Sequence, residues 1–265
     1  EFRRVLFRST TECPEIFEIA LDGDKKNSRW IIYGGNGGYL IGRFDGKHFL
    51  QESGPHTLQY GNCWYASQTY NDLPAKDGRR ILVPWGTMAT PGMSFNQMMG
   101  LPVELTLHTT EEGVRLFANP IHELETLREK PITLTQQPLK PGENPLKAVQ
   151  GELLDVVTEI AVGEATEITF HLRGVEVRYD VKTQELSCLD KKATLKPIEG
   201  KIQLRILVDR TSVDIFGNSG RLYMPMGVIV AEENHSLEVA VKGGSASLLS
   251  LSVYPLRSAW LPKQR

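Results

Sequence analysis

The sequence predicts an all-β protein made of two domains. Three observations carry that prediction. No amphipathic helical stretch long enough to cross between strands separates the apolar runs, which argues against an α/β fold. Ile31 and Ile81 fall at equivalent places in two similar runs of strands, a recurrence of roughly fifty residues that is a propeller-blade period. Beyond about residue 148, short alternating strands with turn signals between them suggest a β-sandwich. A chain of 265 residues is long enough for one large or two ordinary domains.

The first strand covers Ile16 to Leu21 and is preceded by Thr11-Glu12-Cys13-Pro14. Pro14 fixes φ and lacks a donor, which suits the mouth of a strand. Arg29–Tyr33 forms a second strand, and the turn Gly34-Gly35-Asn36-Gly37-Gly38 follows. Tyr39–Phe44 is a third strand, Asp45-Gly46 a hairpin signal, and Lys47 to Leu50 opens a fourth. The pattern then restarts at Trp64–Thr69 and Arg80–Trp85, with a further unit through Glu104–Leu107 and Val114–Phe117. The opening Glu1 to Ser9, with three arginines and no clean period, supports no reading.

Asn119-Pro120 reads as the start of a helix, with Asn as N-cap and Pro as first helical residue. Ile121, Leu124 and Leu127 would share its face, and Pro131 would stop it. Four prolines between Pro131 and Lys147 make that stretch a linker. The expected division is therefore residues 1–130, a linker over 131–147, and a sandwich over 148–265. In the second part Leu154, Val156, Ile160 and Val162 share one strand face. Ile168, Phe170 and Leu172 share another, and so do Val175, Val177, Tyr179 and Val181. Ile202–Val208, Val213–Ile215 and Leu251–Leu256 continue the series, with polar residues expected on the opposite faces. Trp260 is expected to pack back on the preceding domain.

A net charge of −2 gives no strong pull toward nucleic acid or an anionic membrane. No apolar run approaches the length of a bilayer span. Cys13, Cys63 and Cys188 are far apart, with no CxxC spacing, so neither a disulfide framework nor a zinc site is encoded. No cofactor or metal is implied. Gly34–Gly38 is not a phosphate loop, because a strand follows it and no Lys-Ser/Thr is present.

Four stretches place polar or aromatic groups at strand ends: Glu12-Cys13-Pro14, Cys63–Gln68, Pro84-Trp85-Gly86, and Phe95 through Glu104. A propeller converges such ends on one funnel. There a carboxylic acid, an indole face and amide donors form a sugar site, with stacking for the ring and hydrogen bonds for the hydroxyls. Each has a plainer reading. Glu12 is either a general acid on rigid backbone or a solvated loop glutamate. Trp64 and Trp85 are either core or platform, Asn96 and Gln97 are turn residues or donors, and Cys13 and Cys63 are reactive or inert thiols.

Glu12-Cys13-Pro14-Glu15-Ile16-Phe17 resembles the Glu-Cys-Pro motif of glycoside hydrolase family 32, the invertase, levanase and inulinase family. Tyr39–Gly46, Trp64–Thr69, Gly78–Ile81 with Trp85-Gly86, and Phe95–Leu107 resemble further motifs of the family, in order. Val208-Asp209-Arg210-Thr211-Ser212-Val213-Asp214-Ile215-Phe216 is similar to its sandwich motif. The resemblance implies a five-bladed β-propeller followed by a β-sandwich, of which this chain would hold the last two to three blades and the sandwich. It implies retaining hydrolysis of fructosides by a carboxylate pair. Glu12 would be the acid/base, Trp85 would line the fructose pocket, and Cys13 would lie beside the acid/base at the substrate. The substrate would be a fructan or a sucrose-type sugar, and export from the cell is common in the family. Many members carry an acidic residue where this chain has Cys63 and an arginine where it has Val103. The family's nucleophilic aspartate lies upstream of its Glu-Cys motif, and nothing upstream of Glu12 matches it. The polypeptide is therefore expected to be inactive alone, the remaining blades belonging to the complete protein. A non-catalytic carbohydrate-binding module built on the sandwich is the alternative.

Overall fold

The computed structural model describes residues 12–74 and 76–259; the Glu1–Ser9 segment and Trp260 lie outside the described residues. Among the described residues, twenty strands and one short 3₁₀ helix make an all-β chain. It divides into two compact units, residues 1–121 and 122–265.

The first unit contains β1 (Glu15–Leu21), β2 (Asp24–Tyr33), β3 (Gly38–Phe44) and β4 (Phe49–Thr57). These form one antiparallel meander. A second follows: β5 (Tyr65–Thr69), β6 (Arg80–Gly86), β7 (Met98–Met99), β8 (Val103–Thr110) and β9 (Gly113–Pro120). Its order is β5-β6-β8-β9, with β7 pairing along β6. Ile31 and Ile81 both sit in the second strand of their meanders, on β2 and β6, and both are buried. The recurrence read in the sequence is thus a structural equivalence. The meanders meet at a parallel pair, Leu21↔Leu107. Asp22 fastens that seam. Its N–H donates to the Leu107 carbonyl at 2.9 Å, and its carboxylate accepts from the N–H and Oγ1 of Thr109. Asp22 and Gly23 both have positive φ, as a two-residue type I′ hairpin requires.

The second unit opens with a 3₁₀ helix, His122–Leu127, with no buried residue. This corrects the expected helix over 119–130. Asn119 and Pro120 end β9, paired with Glu104 and Val103, a place where a missing donor is tolerated. The apolar spacing of three at Ile121, Leu124 and Leu127 is also a 3₁₀ period rather than an α-helical one. The expected linker over 131–147 is corrected too. Ile132–Leu139 is β10, an edge strand paired with the last strand of the chain, and its Pro138 is acceptable on an edge. Leu139, Leu146 and Val149 are buried in the core, so the segment is packed rather than loose.

The remaining strands are β11 (Leu154–Ala161), β12 (Glu167–Leu172), β13 (Val175–Asp180), β14 (Glu185–Cys188) and β15 (Lys191–Thr194). They are followed by β16 (Lys201–Val208), β17 (Ser212–Gly217), β18 (Leu222–Gly227), β19 (Leu237–Lys242) and β20 (Ala246–Pro255). They make a six-stranded sheet, β10-β20-β11-β16-β17-β18, and a five-stranded sheet, β15-β14-β13-β12-β19. One apolar cluster draws Val156, Ile206 and Ile215 from the first sheet and Phe170, Val177 and Val239 from the second. Two sheets sharing one core form a sandwich. The opposite face of the six-stranded sheet is not simply solvated, as the alternation had suggested. Asp155 there is fully buried and held by Arg128 and Arg205, with contacts of 2.7 to 3.0 Å. Asp214, Phe216 and Tyr223 are buried as well.

Candidate active site at the entrances of β1 and β5

The candidate site is built where three pieces of backbone cross. A Cβ on Gly35 would lie 3.0 Å from Cys13 Cβ and 3.1 Å from Ala66 Cα, so any side chain there would crowd this crossing, and glycine lets the backbones approach closely. Gly35 N–H donates to the Glu12 carbonyl at 3.0 Å. Cys13 (φ 48°) and Ala66 (φ 43°) both adopt the left-handed conformation that L-residues disfavour. At Ala66 the register of β5 against β6 shifts. Such a bulge bends the strand and re-aims its side chains. Pro84 of β6 lies opposite the shift, where no ladder donor is needed.

The re-aimed side chain is Tyr65. Its hydroxyl donates to Glu12 Oε2 at 2.5 Å. Three more hydrogen bonds stitch β5 to the first meander. Tyr33 and Ser67, both buried, share a hydroxyl pair at 2.9 Å. Glu15 accepts from the N–H and Oγ1 of Thr69. Burial pushes the Tyr33 phenol well above its ordinary range, so it stays neutral.

On the neighbouring strand Trp85 pairs with Tyr65 in register. Their ring centroids are 6.4 Å apart and the planes are inclined by 65°, an edge-to-face arrangement. Trp85 is 38% exposed, and its Nε1–H donates to Gln97 Oε1 at 2.8 Å. Met99, next along on β7, is 70% exposed. Of the two tryptophans named from the sequence, Trp64 is buried and Trp85 is the one with an open face.

Glu12, Cys13 and Trp85 are thus placed around Tyr65 and the Gly35 crossing. Cys63 is buried, and a Cβ on Gly86 would sit 3.1 Å from its sulfur. Val103 is fully buried in the pairing with Leu82 and Pro120. Asn96 is a turn residue, its side chain accepting the Thr90 N–H at 3.4 Å. Tyr65, whose role no local pattern marks, opens β5 within the run Trp64–Thr69, and that place at a strand start is the signal the sequence offers for it. Among the described residues no cluster of three or more His, Cys, Asp and Glu side chains could hold a metal ion.

Residues 3–120 match the family model described as Glycosyl hydrolases family 32 N-terminal domain. Residues 123–255 match that described as Glycosyl hydrolases family 32 C terminal. A levanase of Bacillus subtilis (strain 168) is 31% identical over 293 residues, an alignment covering 94% of this chain and 43% of the relative. A levanase of Bacillus sp. (strain L7) is 29% identical, over 94% of this chain and 31% of its own length. Among solved structures, an exo-inulinase from Aspergillus awamori superposes with a TM-score of 0.82 at 22% identity, over 94% of this chain and 57% of that one. A fructofuranosidase from Schwanniomyces occidentalis complexed with fructose gives 0.76 at 17% identity, over 93% and 60%. The chain therefore spans less than half the length of these levanases.

Proposed function

The chain belongs to glycosyl hydrolase family 32, and from that premise we propose that it carries the acid/base half of a retaining β-fructosidase. The observation that supports this most is the Glu12–Tyr65–Trp85 arrangement. A carboxyl group is held by a phenol at a strand entrance, beside a half-open indole. In this reading Glu12 protonates the glycosidic oxygen as the bond to the fructosyl carbon breaks. It then takes a proton from the water that releases fructose from the covalent intermediate. Trp85 lies against the fructosyl ring, and Cys13 lines the same pocket.

The two four-stranded meanders are then two blades of a five-bladed propeller, followed by the sandwich. A retaining mechanism needs a second carboxylate about 5–5.5 Å from the acid/base. The residues before Glu12 contain no aspartate. The nucleophile would come from blades of the complete protein that this sequence does not include. The substrate class is fructan or sucrose-type sugar, in keeping with relatives named levanase and exo-inulinase.

The test has two arms. The purified 265-residue chain, given sucrose, inulin or levan, is expected to release no fructose. In the complete enzyme, Glu12→Gln is expected to lower kcat by roughly 10²–10⁴-fold with the fold intact by circular dichroism. Fructose release by the chain alone refutes the missing nucleophile, and an active Glu12→Gln enzyme refutes the acid/base role.

A further inference from the structure

We propose that Gln97 is a positioning residue that fixes the orientation of the Trp85 indole, and that a loop latched by Thr90 holds Gln97 in place. The inference rests on the reading of Trp85 as the face against the fructosyl ring. At 38% exposure, with Tyr65 packed edge-to-face against it, the Trp85 ring is held by packing on one side while the other stays open. A polar bond at the indole nitrogen can fix its orientation, because it is directional. Gln97 Oε1 supplies it, accepting from Trp85 Nε1–H at 2.8 Å. The carbonyl end of this amide is thereby engaged with the indole.

The backbone at Gln97 shows what it takes to present that oxygen. Its φ is 65°, in the left-handed region, which non-glycine residues occupy only where the surroundings impose it. The imposition comes from Thr90, itself buried. Its Oγ1 accepts the Gln97 N–H at 3.1 Å and donates to the Phe95 carbonyl at 2.7 Å. One buried hydroxyl thus closes the loop at its far end. On the other side, Gly100 N–H donates to the Pro84 carbonyl at 2.8 Å, and Met98 and Met99 pair with Gly86 and Trp85. Gln97 is clamped between these two anchors, one on each side, directly over the edge of the indole.

The test compares Gln97→Met, which removes the acceptor at similar volume, with Gln97→Glu, which keeps an acceptor oxygen. The ¹⁵N-labelled 265-residue chain gives one indole N–H resonance per tryptophan, and Trp85→Phe identifies that of Trp85. Gln97→Met is expected to move this resonance and speed its exchange with water, while Gln97→Glu restores it and the melting temperature stays unchanged. Binding of 1-kestose, followed by the same resonance, is expected to weaken about 10-fold in Gln97→Met and to return to within about 2-fold in Gln97→Glu, the size of one lost hydrogen bond. In the complete enzyme the loss would fall on KM more than on kcat. An unmoved Trp85 resonance in Gln97→Met overturns the positioning role. A moved resonance with unchanged sugar binding instead overturns the reading of Trp85 as a sugar face.

Discussion

The hydroxyl of Tyr65 donates to Oε2 of Glu12 at 2.5 Å, across 53 positions of sequence. The bond holds the carboxyl group in one rotamer and orients its second oxygen. A hydrogen bond to a charged group contributes about 1.5–3 kcal/mol, or roughly 10- to 100-fold in rate if it is used in the transition state. Tyr65→Phe in the complete enzyme is therefore expected to lower kcat by about that factor, with KM nearly unchanged. Wild-type kcat in the variant would show that the bond is not used.

The three cysteines differ in access. Cys13 is partly exposed, whereas Cys63 and Cys188 are buried. Burial, reinforced by Glu176 and Asp190, pushes the Cys188 thiol up to about 12. Since the thiolate is the nucleophile, iodoacetamide at neutral pH should add one equivalent to the native chain, at Cys13. Mass spectrometry after digestion would check this, and label on Cys188 without unfolding would contradict it.

Asp214 lies in the buried outer layer of the six-stranded sheet, accepting from Ser212 Oγ at 3.0 Å and Tyr223 Oη at 3.1 Å. Desolvation outweighs these bonds and raises its carboxyl from 3.8 to about 6. The native state thus binds the proton more tightly than the unfolded one. Stability is fullest below pH 3.8 and falls as pH rises through about 6. At 1.36 kcal/mol per unit the loss from this group is about 3 kcal/mol. Asp214→Asn should remove that decline, so its stability relative to wild type rises by about that amount between pH 3 and pH 7. Urea denaturation at several pH values measures it, and parallel pH profiles would refute it.

Leu146 sits in the stretch that reads as a linker yet is fully buried. Leu146→Ala should cost about 2–5 kcal/mol, the range for a core cavity. Ile132→Ala, at a side chain 41% exposed, should fall within about 0.5 kcal/mol. Equal, small effects at both sites would mean the segment does not belong to the sandwich core.

Much of the strand order was legible because period-two alternation survives wherever one sheet face is buried. The run Val156–Ile160 is an example, whereas Ile31 and Ile81 lie in continuous buried runs and were legible through their recurrence. The strand Ile132–Leu139 was hidden because Pro131 and Pro138 mimic a linker, and an edge strand tolerates them. Of the candidate site, Glu12 and Trp85 could be named from local pattern and motif. The Tyr65 hydroxyl bond could not, since it depends on a bulge at Ala66 and a glycine crossing at Gly35, contacts between segments far apart in sequence. The Arg128–Asp155–Arg205 group was invisible for the same reason, because alternation assigns Asp155 to a wet face.

Asp22 ties the two meanders together at the far end of β1, opposite to the end that presents Glu12. Seven strand residues separate these ends, about 23 Å at 3.3 Å per residue. The strand is thus pinned at both ends, by Asp22 and Thr109 at one and by the Glu12 bonds to Tyr65 and Gly35 at the other. If Glu12 is the proton donor we propose, its placement rests on residues at the opposite rim of the sheet as well as on its immediate neighbours.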